Sequence, residues 1–297
     1  MFEAAPLVVE APSDVTTLVD AAERACAAWG LPAPALVRVG SNGVFTAGDV
    51  ILRVGVATAP MGVALAFAER VSALGVRAAR PARRDWLEFP GSLSVTAWQR
   101  IDFDAGAAVD WERVGAMIQV VHSIDPGTVD HPLPFCGDFP WWDLGRLLGA
   151  ASHDPDAHRL LTEVVERHRW WYASARGGAL TLCHGDVHPG NVLVATDGPV
   201  LIDWDLLCVG PPEFDHAALA TQTERWGGAP GMYEAFAAGC GDFIDPAMLD
   251  AISELRLVAA TLMRLRRAQS DPAAAPEAER RMRYWHGDPA APVWQAQ

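Results

Sequence analysis

The alternation of apolar and polar positions divides the chain into a strand-rich beginning and a mostly helical remainder. Ser13 and Asp14 precede an amphipathic stretch from Thr16 to Trp29 that stops at Gly30 and Pro32, which predicts a capped opening helix. From Ala35 to Val54 the period shortens to that of strands. The runs ALVRVG and VILRVG are set off by Ser41-Asn42-Gly43 and by Ala47-Gly48-Asp49, so consecutive antiparallel strands are expected. Helical spacing returns over residues 60–75, closing at Gly75, and a further strand pair falls around Asp85 to Phe89 and Leu93 to Gln99. Beyond Ile101 the pattern is helical at Val109 to His122, Trp141 to Gly149 and Pro155 to Ser174, and repeatedly from Glu213 towards Arg283. One β-like island, Leu180 to Asp203, interrupts it, with Thr196-Asp197-Gly198 turning a hairpin, and residues 270–277 read as a loop. The expected fold class is α+β. A small antiparallel-sheet lobe with one internal helix spans residues 1–102, and a larger, mainly helical lobe spans residues 103–297.

A chain of 297 residues is long enough for two lobes that each bury a core. With 51% hydrophobic and 20% charged residues it has the make-up of a folded protein. The formal net charge of −14 offers no basic field to a phosphate backbone, so nucleic acid is not an expected partner. Cys26, Cys136, Cys183, Cys208 and Cys240 are scattered and contain no C-x-x-C pair, which indicates neither a disulfide framework nor a zinc knuckle. The opening MFEAAPLVVEAPSD lacks a basic stretch followed by an apolar one, and no apolar run approaches the ~20 residues of a membrane span. A cytoplasmic protein with no membrane partner is expected.

The candidate chemistry is concentrated in the island. Leu182-Cys183-His184-Gly185-Asp186-Val187-His188-Pro189-Gly190-Asn191 places an aspartate and an asparagine either side of four residues, in a loop between apolar strands. Asp203 then ends the next apolar strand, in Leu201-Ile202-Asp203-Trp204-Asp205. Phosphoryl transfer asks little covalent help of a protein, but it needs magnesium on the phosphates and an acceptor hydroxyl held in line. A carboxylate such as Asp203 and an amide oxygen such as Asn191 are the hard ligands magnesium prefers, and a second carboxylate, Asp186, can orient the hydroxyl. Two other readings fit parts of the pattern. A turn stabilised by an aspartate accounts for His184-Gly185-Asp186 but not for Asn191 and Asp203 in register with it. A metal-dependent hydrolase built on His184, Asp186 and His188 needs further ligands and leaves Asn191 and the LIDWD strand without a role.

The spacing H-x-D-x-x-x-x-N followed by a strand-terminal aspartate matches a protein-kinase-like catalytic loop, and the wording HGDVHPGN with LIDWD resembles the aminoglycoside phosphotransferase and choline kinase superfamily. That resemblance implies a bilobal protein-kinase-like fold and a phosphotransferase that moves the γ-phosphate of ATP or GTP to a hydroxyl of a small molecule. Aminoglycosides, other antibiotics, amino alcohols and sugars are the acceptor classes it brings. It implies Asp186 as the catalytic aspartate, Asn191 and Asp203 as magnesium ligands, and His184 as a support of the loop. Gly210-Pro211-Pro212-Glu213-Phe214-Asp215 resembles the next motif of the family, which gives Asp215 the role of bracing the loop from a helix start. In the N-terminal lobe, Ser41, Asn42 and Gly43 resemble the phosphate-covering loop, and Arg53 stands where a strand lysine is more familiar. By analogy Glu69 is its ion-pair partner, and Ala97 to Ile101, with Gln99 and Ile101, form the hinge that meets the purine. Asp205, Trp141, Trp142 and Asp143 are candidates for the acceptor pocket. A catalytically silent nucleotide-binding module is the alternative from another class, although all three polar catalytic positions are intact.

Overall fold

The computed structural model describes residues 15–40, 42–56, 61–129 and 132–295; the capping residues Ser13 and Asp14 and the loop residue Ser41 lie outside the described residues. The chain separates into two compact units. One runs to Asp110 and takes in Pro189–Leu207, and the other comprises Trp111–His188 and the chain from Cys208 onward. The hairpin that the sequence reading grouped with the helical part therefore belongs with the sheet.

In the first unit, α1 (Val15–Trp29) lies against a five-stranded antiparallel sheet formed by β1 (Ala35–Val39), β2 (Gly43–Ala47), β3 (Val50–Val56), β4 (Leu87–Phe89) and β5 (Leu93–Gln99), in the order β1-β2-β3-β5-β4. Between β3 and β4 runs α2 (Met61–Ala73). Strand alternation sends Phe45, Leu52, Val54, Val95 and Ala97 to one face, where they meet Leu18, Ala22 and Ala25 of α1. The small α1 residues let the helix approach closely, and each large side chain buried there contributes about 2 kcal/mol. Period-two alternation also puts Arg53 on the opposite face from Leu52 and Val54. Gly48, with φ of 65°, supplies the left-handed residue of the β2–β3 turn.

The hairpin of β7 (Val192–Ala195) and β8 (Gly198–Leu201) joins this unit through backbone hydrogen bonds. Residues 77–79 pair along β8, with Leu201 N–H to Arg77 O and Ala79 N–H to Leu201 O both 2.8 Å, and Asp104 N–H reaches Val194 O at 2.9 Å. These bonds satisfy edge groups that an isolated two-stranded hairpin would leave to water.

The second unit is mainly helical: α3 (Trp111–His122), α4 (Leu144–Leu148), α5 (Pro155–His168), α6 (Trp171–Gly177), α7 (Glu213–Ala220), α8 (Gln222–Trp226), α9 (Met232–Cys240), α10 (Pro246–Ser270) and α11 (Ala275–Trp285). Asp154 and Asp245 cap α5 and α10, each with proline at the first position. At the crossing of α3 and α9 the backbones touch. A Cβ on Gly115 would lie 2.0 Å from Phe236 O, and one on Gly239 would lie 1.8 Å from Glu112 O. Only glycine fits at either position.

Several expectations are corrected here. The helix expected over Pro155 to Ser174 breaks into α5 and α6 around Arg169 and Trp170, and the one over Trp141 to Gly149 is a short α4 between 3₁₀ turns. The expected loop at 270–277 holds a 3₁₀ turn, Pro272–Ala274, and the start of α11. A strand the pattern did not reveal, β9 (Cys208–Gly210), pairs antiparallel with β6 (Thr181–Cys183). Three-residue strands are too short to show a period of two.

Candidate active site

In the second unit, β6 delivers the chain to His184 and the loop that ends at His188. Gly185 takes a φ of 88°, the left-handed turn that lets two successive backbone N–H groups point the same way. Both are accepted by the carboxylate of Asp215, in the first turn of α7: His184 N–H at 2.8 Å and Gly185 N–H at 2.7 Å. Asp215 is fully buried, and His122 Nε2 lies 3.1 Å from it while His122 Nδ1 lies 2.6 Å from Asp242. Burial by itself would pull the His122 pKa down, but the hydrogen bonds to Asp215 and Asp242 outweigh it and hold the imidazolium well above its ordinary value. Asp215 is held below the usual carboxylate range, burial being overcome by His122 and the loop N–H groups. A buried cation thus anchors the anion that anchors the loop.

Asp186 follows. Its N–H is directed at His184 Nδ1, 3.4 Å away, so buried His184 supports the loop from inside. One carboxylate oxygen, Oδ1, accepts from Arg256 Nη2 at 2.8 Å, and Oδ2 lies 3.3 Å from His188 Nε2. Burial pushes the Asp186 pKa up, but the His188 hydrogen bond and the charges of His188, Arg256 and His184 carry it well below the usual range. The sequence reading missed Arg256. Its signal was available: an arginine between Leu255, Leu257 and Val258, all buried, in the middle of α10.

In the first unit, Asn191 is buried at the end of a 3₁₀ turn, where the hairpin opens. Ile202 N–H donates to its carbonyl at 3.0 Å, so the chain just before Asp203 is tied to Asn191. Asp203 itself adopts φ of 69°, an uncommon conformation for a non-glycine residue that turns its carboxylate out of the strand direction. Arg53 Nη1 meets Asp203 Oδ1 at 3.0 Å and Asp205 Oδ2 at 2.8 Å. With its amide oriented to present oxygen, Asn42 accepts from Arg53 Nε at 3.0 Å and Nη2 at 2.6 Å. Gly55 makes room for that amide, because a Cβ there would lie 1.8 Å from it. Burial of Arg53 is more than offset by Asp203 and Asp205, which raise its pKa. Burial raises that of Asp205, with Arg53 opposing and Asp203 reinforcing.

The expected partner of Arg53 is corrected by these distances. Glu69 pairs with Arg84 at 3.0 Å on the exposed side of α2, whereas Phe67, two residues earlier, sits 5.6 Å from the ring of Trp204. Two residues are about 200° apart around a helix, so Phe67 and Glu69 face opposite ways. Asp205, offered by sequence to the acceptor, is instead the counter-ion of Arg53. Trp142 is buried against Trp171 and Phe214, with centroids at 5.1 and 5.5 Å, and Asp143 caps α4 by accepting Arg146 N–H at 3.0 Å. Trp141 stacks on Phe139 at 4.6 Å. Gly43 opens β2, the Gln99 N–H at the end of β5 is taken by Arg80 O at 2.8 Å, and Ile101 follows that strand.

The donor set suits a hard cation. Asn191 and Asp203 flank the open end of one hairpin and carry the amide and carboxylate oxygens that a magnesium ion would take, with Arg53 now on Asp203 Oδ1. The H-x-D-x-H alternative does not converge: among the described residues, the groups whose ligand atoms all lie within 4.8 Å of one another are His122–Cys183–Asp215 and His122–Cys240–Asp242. In both groups the imidazole of His122 is already paired with the carboxylate. The thiols are not primed for chemistry either. Burial pushes Cys208 and Cys240 up to about 11, and it raises Cys136 and Cys183 well above the ordinary thiol value.

Solved structures share this fold over most of their length. An amicoumacin kinase in complex with AMP-PNP, calcium and amicoumacin is 14% identical with a TM-score of 0.66, covering 94% of this chain and 97% of its own. A spectinomycin phosphotransferase in complex with ADP and spectinomycin is 15% identical, TM-score 0.62, covering 86% and 89%. A choline kinase from Streptococcus pneumoniae is 12% identical, TM-score 0.58, covering 89% and 97%. At such identities the likeness establishes a protein-kinase-like fold. No curated protein sequence matches the chain. The model of the phosphotransferase enzyme family matches residues 64–255, from α2 through the Asp186 loop and the hairpin into α10, and on that match the chain belongs to the phosphotransferase enzyme family.

Proposed function

We propose that the chain is a small-molecule kinase that transfers the γ-phosphate of ATP or GTP to a hydroxyl. The observation that supports this most is the state of Asp186: an ionised, partly exposed carboxylate on a loop braced by Asp215, with Asn191 and Asp203 following in register. Asp186 would accept a hydrogen bond from the acceptor hydroxyl and aim its oxygen at the γ-phosphorus. The new P–O bond forms as the bond to the β,γ-bridging oxygen breaks, and the nucleoside diphosphate leaves with that electron pair. Because Asp186 is so weak a base, the hydroxyl proton would move late, once the oxygen has become acidic through bonding to phosphorus. Arg53, held by Asn42 and the two carboxylates, is the donor for nucleotide phosphates. Magnesium bound by Asn191 and Asp203 would neutralise charge on those phosphates.

The acceptor is drawn from hydroxyl-bearing antibiotics, aminoglycosides among them, amino alcohols and sugars. Buried free thiols fit a reducing compartment such as the cytoplasm, and among the described residues no helix is long and apolar enough to cross a membrane. The test is an acceptor screen coupled to ADP or GDP release, run on the wild type and on Asp186→Asn. Acceptor-dependent release abolished in the variant supports the reading. Nucleotide binding without turnover on any acceptor would favour a silent binding module.

A further inference from the structure

We propose that Arg256 is the positioning residue for Asp186, fixing the carboxylate so that one of its oxygens is presented to the acceptor; this rests on the kinase reading above. The loop is gripped from two sides. Asp215 takes its N–H groups at His184 and Gly185, and Arg256 takes its acceptor groups: Nη1 reaches the Gly185 carbonyl at 3.3 Å while Nη2 reaches Asp186 Oδ1 at 2.8 Å. Two donors of one planar fork therefore bind the backbone just before the aspartate and the side chain of the aspartate itself. A single ammonium on a flexible stem matches that pair of acceptors poorly.

The fork is held still by what surrounds it. Arg256 projects from the middle of α10, whose neighbouring Leu255, Leu257 and Val258 are buried, and its guanidinium carbon lies 5.7 Å from the ring centroid of Phe214. Phe214 adjoins Asp215, so the aromatic face beside Arg256 and the carboxylate beneath the loop come from one turn of α7. Catalytic geometry is most exact when its supports stand on helices rather than loops.

The two oxygens of Asp186 are thereby made unequal. Oδ1 is committed to a permanent cation at 2.8 Å, and Oδ2 lies 3.3 Å from His188 Nε2, on a side chain that is 37% exposed. Oδ2, the oxygen beside the more exposed of these two side chains, is the one assigned to the hydroxyl. The hydroxyl is received there, with Arg256 preventing rotation of the carboxylate.

The experiment compares Arg256→Ala and Arg256→Lys with the wild type, using the acceptor from the screen or, without one, slow nucleotide hydrolysis with water as acceptor. A lost charge-assisted hydrogen bond corresponds to a fall in kcat of about 10- to 100-fold in Arg256→Ala. The nucleotide Kd should stay within about twofold, Arg256→Lys should fall between, and millimolar guanidinium ion should restore part of the alanine variant's turnover. Unchanged kcat in Arg256→Ala overturns the proposal. So does a joint loss of kcat, nucleotide affinity and thermal stability without rescue in either variant, which would mean that Arg256 only stabilises the fold. A wild type that turns over nothing would instead bring down the kinase reading.

Discussion

Replacing Asp215 by asparagine keeps the side-chain shape and removes the charge, so it isolates what the buried anion does. In the native protein its two oxygens accept from His184 N–H and Gly185 N–H and it faces His122 at 3.1 Å, all without solvent. Asparagine has one acceptor oxygen. One loop N–H is left facing an NH₂ group, a cost of about 1–3 kcal/mol. Breaking a buried ion pair from one side costs about 3–5 kcal/mol, but Asp242 still holds His122 at 2.6 Å and the network is shared, so the terms do not add. A loss of about 3–5 kcal/mol is expected, a large part of a typical domain stability of ~5–15 kcal/mol.

The assay is urea unfolding of wild type and Asp215→Asn across pH, with turnover measured in parallel. The folded-state pKa of His122 is raised, so its contribution is fully present below the unfolded value of about 6.5 and is lost as pH rises through the folded value. The pKa values of Asp215 and Asp242 are depressed, so their contribution is present above about 3.9 and is lost as pH falls through the folded values. The difference between the two proteins should therefore be widest between roughly pH 4 and 6.5 and narrow on either side. A variant within about 0.5 kcal/mol of wild type throughout that window, with kcat unchanged, would refute the idea that a buried cation–anion pair anchors the loop.

Other outcomes follow from the same structure. Glu69→Gln should leave nucleotide affinity unchanged in calorimetric titration, because the exposed Glu69–Arg84 pair is worth ~0–1 kcal/mol, whereas Arg53→Ala should weaken it about 10- to 100-fold. Gly239→Ala should prevent α9 from seating on α3, lowering the thermal midpoint by many degrees or abolishing soluble expression; Gly177→Ala, with nothing within 4 Å of its would-be Cβ, should melt like wild type. The thiols of Cys136, Cys183, Cys208 and Cys240, buried and held protonated, should resist a thiol-reactive dye at pH 8 until the protein is unfolded.

Features that depend on neighbours along the chain were legible in the residue order alone. Strand alternation around Phe45, Leu52 and Val95, the hairpin turn at Asp197 and Gly198, and the order His184, Asp186, Asn191, Asp203 are all local, so period and spacing reveal them. Pairings between residues far apart in sequence were fixed by packing in three dimensions. Arg53 could have met any carboxylate; it meets Asp205 because α2 turns Phe67 towards Trp204 and carries Glu69 away to Arg84. His122 and Asp215 lie 93 residues apart, and Arg256 and Asp186 lie 70 apart. Neither pair leaves a periodic trace, because electrostatic partners are chosen by proximity in space. Trp142 and Asp143 were pocket candidates through the family resemblance; in the fold Trp142 is buried among Trp171 and Phe214 and Asp143 caps α4. The types of chemical group could be read from the chain, but their charge states and partners were set by burial.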